Sequence, residues 1–253
     1  MNSKPAKPLS AEKFYDAASD FYEQMIDFEK NMELRISAYK NIFPQTCVIA
    51  DLGCGIGLDS IALAKNGHTV TAFDVSSQMI ETAKLNAKKY NTEIEFKINS
   101  ISALPKKYKN KFNSVVCVGN TVAHLNAYNL SSALEKIYGL LMPGGKLFIH
   151  ILNYKKIIAE NKRINNIANR EGKTIIRFYD FFNDLIRFNI LTFDTARPKD
   201  FQLISTKHFP HSQKKLLAVL KNAGFSKLKC YGNFALQKYL SSESKDLFIE
   251  AIK

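Results

Sequence analysis

Asp51-Leu52-Gly53-Cys54-Gly55-Ile56-Gly57 stands between an apolar, β-branched run, Cys47–Leu52, and a helical one, Leu58–Asn66, which stops at Gly67. Glycines at such a strand-to-helix turn let backbone approach a ligand closely, because no Cβ stands in the way. The same alternation continues along the chain. Strands are expected at Thr69–Phe73, Ile94–Ile98, Asn113–Val118, Lys146–Leu152, Phe225–Tyr231 and Leu247–Ile252. Amphipathic helices lie between them. One is capped by Ser76 or Ser77 and carries Met79, Ile80, Ala83, Ala87 and Tyr90 on one face. Another carries Leu130, Leu134, Ile137, Tyr138 and Leu141 and stops at Met142-Pro143-Gly144-Gly145. A third, capped by Ser212, carries Leu216, Leu217, Val219, Leu220 and Ala223 and ends at Gly224. Alternation of this kind predicts an α/β fold, a doubly wound and mostly parallel sheet with helices on both faces.

Two regions break the rhythm. Residues 1–46 are helical in pattern and precede the first strand. Residues 153–210 hold a basic, helix-like piece and then three runs of period two, Thr174–Asp180, Leu185–Phe193 and Phe201–Phe209, which predict a small antiparallel cap.

Composition narrows the class. The chain has 253 residues, 46% hydrophobic and 23% charged, with 18 Phe and 11 Tyr, so it can build a large core without a disulfide or metal staple. No stretch approaches the ~18 unbroken apolar residues of a membrane span. Met1–Ser10 has no apolar signal core, so a cytoplasmic location is expected. Cys47, Cys54, Cys117 and Cys230 form no CxxC pair and read as reduced core thiols, with no metal site. The net charge of +13 is unevenly placed. Residues 1–104 hold 11 Lys/Arg against 13 Asp/Glu, whereas residues 105–253 hold 25 against 10. Either the second half is simply a solvated basic surface or it handles an anionic partner.

The glycine loop does not suit a dinucleotide. G-x-G-x-x-G would need a third glycine where Leu58 stands. Asp51 at the start of the loop is awkward beside a pyrophosphate and favourable beside a cation. S-adenosylmethionine, with a sulfonium, an ammonium and no phosphate, fits better. Asp74, 23 residues after Asp51, ends the second strand, where a carboxylate can accept both hydroxyl hydrogens of a ribose. A plain helix-capping aspartate is the alternative.

With these residues in view, the chain resembles the class I S-adenosylmethionine-dependent methyltransferases. The Asp-Leu-Gly-x-Gly-x-Gly loop, the Phe73-Asp74-Val75-Ser76 strand end and the Met142–Gly145 turn occur in that family's order. The resemblance implies a Rossmann-like, seven-stranded sheet with its last strand antiparallel, methyl transfer as the activity, and S-adenosylhomocysteine as the spent cofactor. The implied organisation is an N-terminal helical segment over the cofactor site (1–46), a cofactor-binding core (47–152), an inserted cap for the acceptor (153–210) and a C-terminal helix with the last two strands (211–253).

Within that family the chain looks like the glycine N-methyltransferase and glycine/sarcosine branch. Arg35-Ile36-Ser37-Ala38-Tyr39-Lys40, Gly57–Ile61, Val118–Leu125, Asn153-Tyr154 and Phe209-Pro210-His211 carry the likeness. It implies that Arg35 holds the cofactor carboxylate and that Tyr15, Asp51, Gly53, Cys54, Gly55, Asp74, Val75, Met79, Val118 and Gly119 surround the cofactor. Asn99 would meet the adenine. The branch follows this Asn with Trp, where this chain has Ser100, so the stacking place falls to Ser100 and Ile101. Asn120, His124, Tyr154, Tyr22 and His208 are the polar candidates around the transferring methyl; His150 reads as core.

One departure bears on the acceptor. The branch carries an arginine immediately before its Asn-Tyr to fix the carboxylate of glycine; this chain has Leu152. A leucine cannot pair with a carboxylate, and an unpaired buried carboxylate is costly. The expected acceptor is a small amine other than glycine, partly apolar near Leu152 or anionic toward the cap, where between residues 155 and 177 Lys155, Lys156, Lys162, Arg163, Arg170, Lys173 and Arg177 stand against only Glu160 and Glu171. A nucleic-acid methyltransferase is disfavoured, since Gly119-Asn120-Thr121-Val122 lacks the Pro-Pro-aromatic platform for a flipped base. A binding protein that has lost transfer, and a homo-oligomeric assembly, both stay open.

Overall fold

The structure is a computed structural model that describes residues 7–253. The reading of Met1–Ser10 as free of a signal core therefore falls mostly outside the described residues. Two helices come first, α1 (Ala11–Ile26) and α2 (Phe28–Ile42). The core follows: β1 (Val48–Leu52), α3 (Leu58–Lys65), β2 (Thr69–Asp74), α4 (Ser77–Lys89), β3 (Glu95–Ile98), β4 (Phe112–Cys117), α5 (Ala127–Leu140) and β5 (Leu141–Leu152). Then come α6 (Tyr154–Ala159) and the cap strands β6 (Ile164–Arg170), β7 (Lys173–Phe181), β8 (Ile186–Asp194) and β9 (Arg197–His208). The chain closes with α7 (Gln213–Asn222), β10 (Ser226–Tyr231) and β11 (Asp246–Ile252).

The main sheet has seven strands in the order β10-β11-β5-β4-β1-β2-β3, with β11 alone running against the others. Its central strands are mostly apolar, as strands covered on both faces tend to be, with polar residues such as Asp51 and Asp74 near their carboxyl ends. Ile49, Ala50, Leu52, Val115, Val116, Phe148 and Ile149 are all fully buried. The strand order reverses between β1 and β4, where an open α/β sheet leaves a crevice beyond its carboxyl ends.

Two sequence expectations need correction. The helix stops before Met142–Gly145 as expected, but Leu141, placed on that helix by its periodicity, already belongs to β5. Leu141 pairs with Phe112 and Lys146 with Ser114, and the four residues bulge out between those pairings. The cap has four strands, not three. Ile164–Arg170, which follows the helix-like piece without a strand pattern of its own, pairs antiparallel with β7. Its Asn-rich, half-exposed edge carries no period-two signal because only one neighbour constrains it.

The first two helices are tied over the crevice. Ser10 caps α1, and the Leu9 N–H donates to Ser205 O of β9 at 2.8 Å. Ser76 Oγ donates to Asp16 of α1 at 2.6 Å. Among the described residues no helix is long and apolar enough to cross a membrane.

Candidate active site

The glycine loop is held rather than loose. Gly53, Gly55 and Gly57 have φ of +76°, +53° and +87°. The Gly53 and Cys54 N–H groups both donate to Phe73 O at the end of β2. A Cβ on Gly53 would stand 2.5 Å from Thr121 Oγ1 and Cγ2. The loop is thus wedged between β2 and the turn after β4.

Asp74 is buried, not exposed as its strand-end position suggests. Its Oδ2 accepts from the Gly55 N–H and its Oδ1 from the Ser76 N–H, each at 2.9 Å. Burial pushes its carboxyl up, while these backbone donors pull it back. The helix-capping role belongs to Ser76, whose Oγ accepts from the Met79 N–H. Asp74 instead fixes the loop and still lines the cavity.

Two more carboxylates lie under the loop. Asp51 is buried and accepts from Ser60 Oγ at 2.5 Å; burial and the nearby Asp59 push its carboxyl well up. Asp59 accepts from Tyr39 Oη at 2.7 Å and pairs with Arg35 Nε at 2.9 Å. The Arg35 guanidinium also lies 3.7 Å over the Phe234 ring. A floor of carboxyl groups that a bound cation would draw toward ionisation, with one arginine at its end, fits a ligand carrying a cation and a carboxylate. A raised folded-state carboxyl takes up a proton on folding, so its contribution is complete at low pH and is lost as pH rises. Asp51→Asn is therefore expected to flatten the fall in stability above about pH 4 by up to ~1.4 kcal/mol per pH unit. Denaturant melts at pH 5, 6.5 and 8 check this; parallel curves for parent and variant would refute it.

At the other end, Gly119 and Asn120 have φ of +72° and +71°, two consecutive left-handed residues that turn the chain sharply after β4. From there a polar chain runs across three parts of the molecule. Asn120 accepts from the Leu152 N–H at 3.1 Å and donates through Nδ2 to Tyr154 Oη at 2.8 Å. Tyr154 Oη lies 2.9 Å from His208 Nδ1 on the last cap strand. The His208 ring meets His124 edge-on, centroids 4.7 Å apart. His124 Nε2 lies 2.9 Å from Tyr15 Oη on α1. Burial holds His124 down to about 4, and burial together with His124 holds His208 well below the ordinary imidazole range, so both imidazoles are neutral at pH 7. Burial, with Asp74 adding to it, pushes Tyr22 up to about 12. His150 pairs with Asp246 inside the sheet, as a core histidine.

A cavity of about 260 Å³ joins the two ends. Tyr15, Tyr22, Arg35, Gly53, Cys54, Gly55, Asp74, Val75, Asn99, Ser100, Ile101, Val118, Gly119 and His124 all line it. Five expected residues do not reach its wall. Asp51 lies beneath the loop, Met79 is sealed in the first turn of α4, and Asn120, Tyr154 and His208 stand behind His124. Asn31, Asp59 and Thr121 line it without having been singled out. Asp59 had a signal, an acidic residue in the first turn after a glycine loop. Asn31 had none, because only the crossing of α2 over the loop brings it there.

Residues 49–145 match the sequence profile of a methyltransferase domain. The carboxy-S-adenosyl-L-methionine synthase of Nautilia profundicola is 25% identical over 240 residues, 90% of this chain and 94% of that protein. A ubiquinone biosynthesis O-methyltransferase of Xanthomonas axonopodis pv. citri is 29% identical over 110 residues, so the match spans 44% of this chain and less than half, 45%, of that relative. In three dimensions, an S-adenosylmethionine-dependent methyltransferase from Clostridium acetobutylicum superposes with a TM-score of 0.75 at 16% identity, covering 94% of this chain and 98% of the other. The profile match falls on the strands and loop that build the cavity, and the acidic floor suits a sulfonium cofactor. The chain therefore carries a class I methyltransferase domain, takes S-adenosylmethionine as its cofactor and is an S-adenosylmethionine-dependent methyltransferase.

Proposed function

We propose that the enzyme N-methylates a small-molecule amine other than glycine. The observation that carries this reading is the polar chain Asn120–Tyr154–His208 and His124–Tyr15 at one end of the cofactor cavity, with a neutral imidazole on the wall. Bound S-adenosylmethionine supplies a methyl group activated on a sulfonium, so the protein need not create a leaving group. In this reading Asp74 takes the ribose hydroxyls and Arg35 exchanges part of its Asp59 contact for the cofactor carboxylate. Asn99, Ser100 and Ile101 frame the adenine. Val118 and Gly119 offer backbone carbonyls beside the reacting end. Positioning and exclusion of water then supply most of the rate. An ammonium acceptor can lose its proton to solvent before it binds, and neutral His124, with Tyr15 and His208 against its ring, can orient the free amine by hydrogen bonding.

The likeness to the glycine N-methyltransferase branch supports nitrogen as the atom methylated, and Leu152 argues against glycine itself. A methyl-transfer screen of amines, hydroxyl compounds and carboxylates, read by product mass, tests the reading. Products methylated only on oxygen or carbon would sink it. Leu152→Arg is expected to lower turnover of the native acceptor by roughly tenfold or more, a loss of at least ~1.4 kcal/mol. The variant should also gain measurable glycine methylation. Efficient glycine methylation by the unmodified protein would show that another residue holds the carboxylate.

A further inference from the structure

The cap sheet has an inward face. Ile175 and Tyr179 on β7, Ile186, Phe188 and Ile190 on β8, and Thr206 and His208 on β9 point the same way by strand alternation and are buried. Phe188 meets Phe14 of α1 there. Arg177 lies in the middle of this face, in register with Asn166 on one side and Ile190 on the other. A guanidinium at such a place is expected to have a carboxylate, and this one has none among the described residues. Arg163 is paired with Asp180, and Arg170 with Asp27 at 2.7 Å. Arg177 makes no ion pair, and its Nε is buried without a hydrogen-bond partner. The groups whose ionisation would relieve it are Tyr22 and Tyr179, and burial pushes both phenols up to about 12, so neither is charged at pH 7.

Other polar atoms on the same face share this condition. Tyr179 Oη and His208 Nε2 are also buried and unpartnered among the described residues. Unsatisfied buried groups are few in folded proteins, and each calls for a reason. An uncompensated cation with an unpartnered hydroxyl two residues along the same face, Arg177 and Tyr179, is what a site for an anion looks like before the anion arrives. Space is available. Arg177 lines an open, polar depression between the α1–α2 junction and strands β6 and β7, whose wall also carries the Asp27–Arg170 ion pair. Ile26 and Asn31 line both this depression and the cofactor cavity, so the two adjoin.

We propose that Arg177, with the Tyr179 hydroxyl next to it on the inward face of the cap, holds an oxyanion of the methyl acceptor, so that the acceptor is a carboxylate- or phosphate-bearing small molecule. This rests on the reading that a small acceptor is methylated in the adjoining cavity, and it names that acceptor's chemical class. It also relocates the anion subsite. The exposed lysines of the cap would attract an anion through water, whereas the half-buried Arg177 guanidinium, with its Nε shielded from water, binds it directly and favours it over neutral analogues. Arg177 thus acts on selectivity, not on the transfer step.

The test uses the full chain loaded with S-adenosylhomocysteine and calorimetric titration with matched amines: β-alanine against propylamine, and O-phosphoethanolamine against ethanolamine. Acetate and inorganic phosphate are titrated alone. In the unmodified protein, at least one anionic member is expected to bind tenfold or more tightly than its neutral match; which pair responds distinguishes carboxylate from phosphate. Arg177→Gln should erase that preference, Arg177→Lys should keep part of it, and Tyr179→Phe should weaken it several-fold. Affinity for S-adenosylhomocysteine should stay within about twofold in all variants, which also reports that they fold. Equal or absent binding of charged and neutral members throughout would overturn the proposal, as would a preference that survives Arg177→Gln. Failure of S-adenosylhomocysteine to bind the unmodified protein would overturn the underlying reading as well.

Discussion

Asp74→Ala is expected to damage the protein twice, once with the cofactor and once without it. Loss of hydrogen bonds between a carboxylate and ribose hydroxyls costs about 1.5–3 kcal/mol, roughly a 10- to 150-fold rise in Kd. Calorimetric titration with S-adenosylhomocysteine reads this directly. The second effect comes from the tertiary structure. Asp74 accepts from the Gly55 and Ser76 N–H groups, and both donors lose their partner in the variant. Leaving buried donors unpaired costs about 1–3 kcal/mol, so the ligand-free protein should melt roughly 3–10 °C lower. Asp74→Asn keeps one acceptor oxygen and should fall between. Normal binding together with an unchanged melt would reduce Asp74 to a bystander.

Gly53→Ala is expected to be strongly destabilising, because backbone conformation and a neighbouring side chain both oppose the added methyl. The position has φ +76°, where an L-side chain costs roughly 1–2 kcal/mol. The added Cβ would also stand 2.5 Å from Thr121, whose Oγ1 is engaged with Val118 O at 2.7 Å and cannot swing away freely. Overpacking of this kind costs about 1–3 kcal/mol more. The total, about 2–5 kcal/mol, should appear as a large drop in Tm and loss of cofactor binding. Gly119→Ala separates the two terms. Its φ is +72°, but an added Cβ meets nothing within 4 Å, so it should show the conformational cost alone. Gly53→Ala with Thr121→Ala should recover the steric part only. Equal melts for Gly53→Ala and Gly119→Ala would show that the wedge against Thr121 carries no weight.

The architecture was legible in the chain because its signals are local. Period-two and period-3.6 patterns, glycine stops and serine caps each act over a few residues, and their alternation leaves little choice but a doubly wound sheet. Asp51–Gly57 and Asp74 pointed to a cationic cofactor without phosphate, since charge at a glycine loop is a local property too. The cap was read one strand short because β6 lies at an edge, paired on one side, with half-exposed polar residues.

What local pattern could not supply were properties that depend on which segments meet. Asp74 looked like an exposed strand end and is buried, because α1 covers it and the glycine loop donates to it. Asn120, Tyr154 and His208 were chosen as separate polar candidates; their assembly into one hydrogen-bonded row behind His124 needed the cap to fold back onto the core. Arg177 is one of seven basic residues between 155 and 177. A buried Nε and the absence of a carboxylate partner distinguish it from Arg163 and Arg170, and both are outcomes of packing between distant strands and helices. The sequence by itself determined the fold and the kind of cofactor, through short-range periodicity and the charge of a loop. The tertiary structure alone decided which charges are compensated, because compensation is a matter of distance across the fold and not of position along the chain.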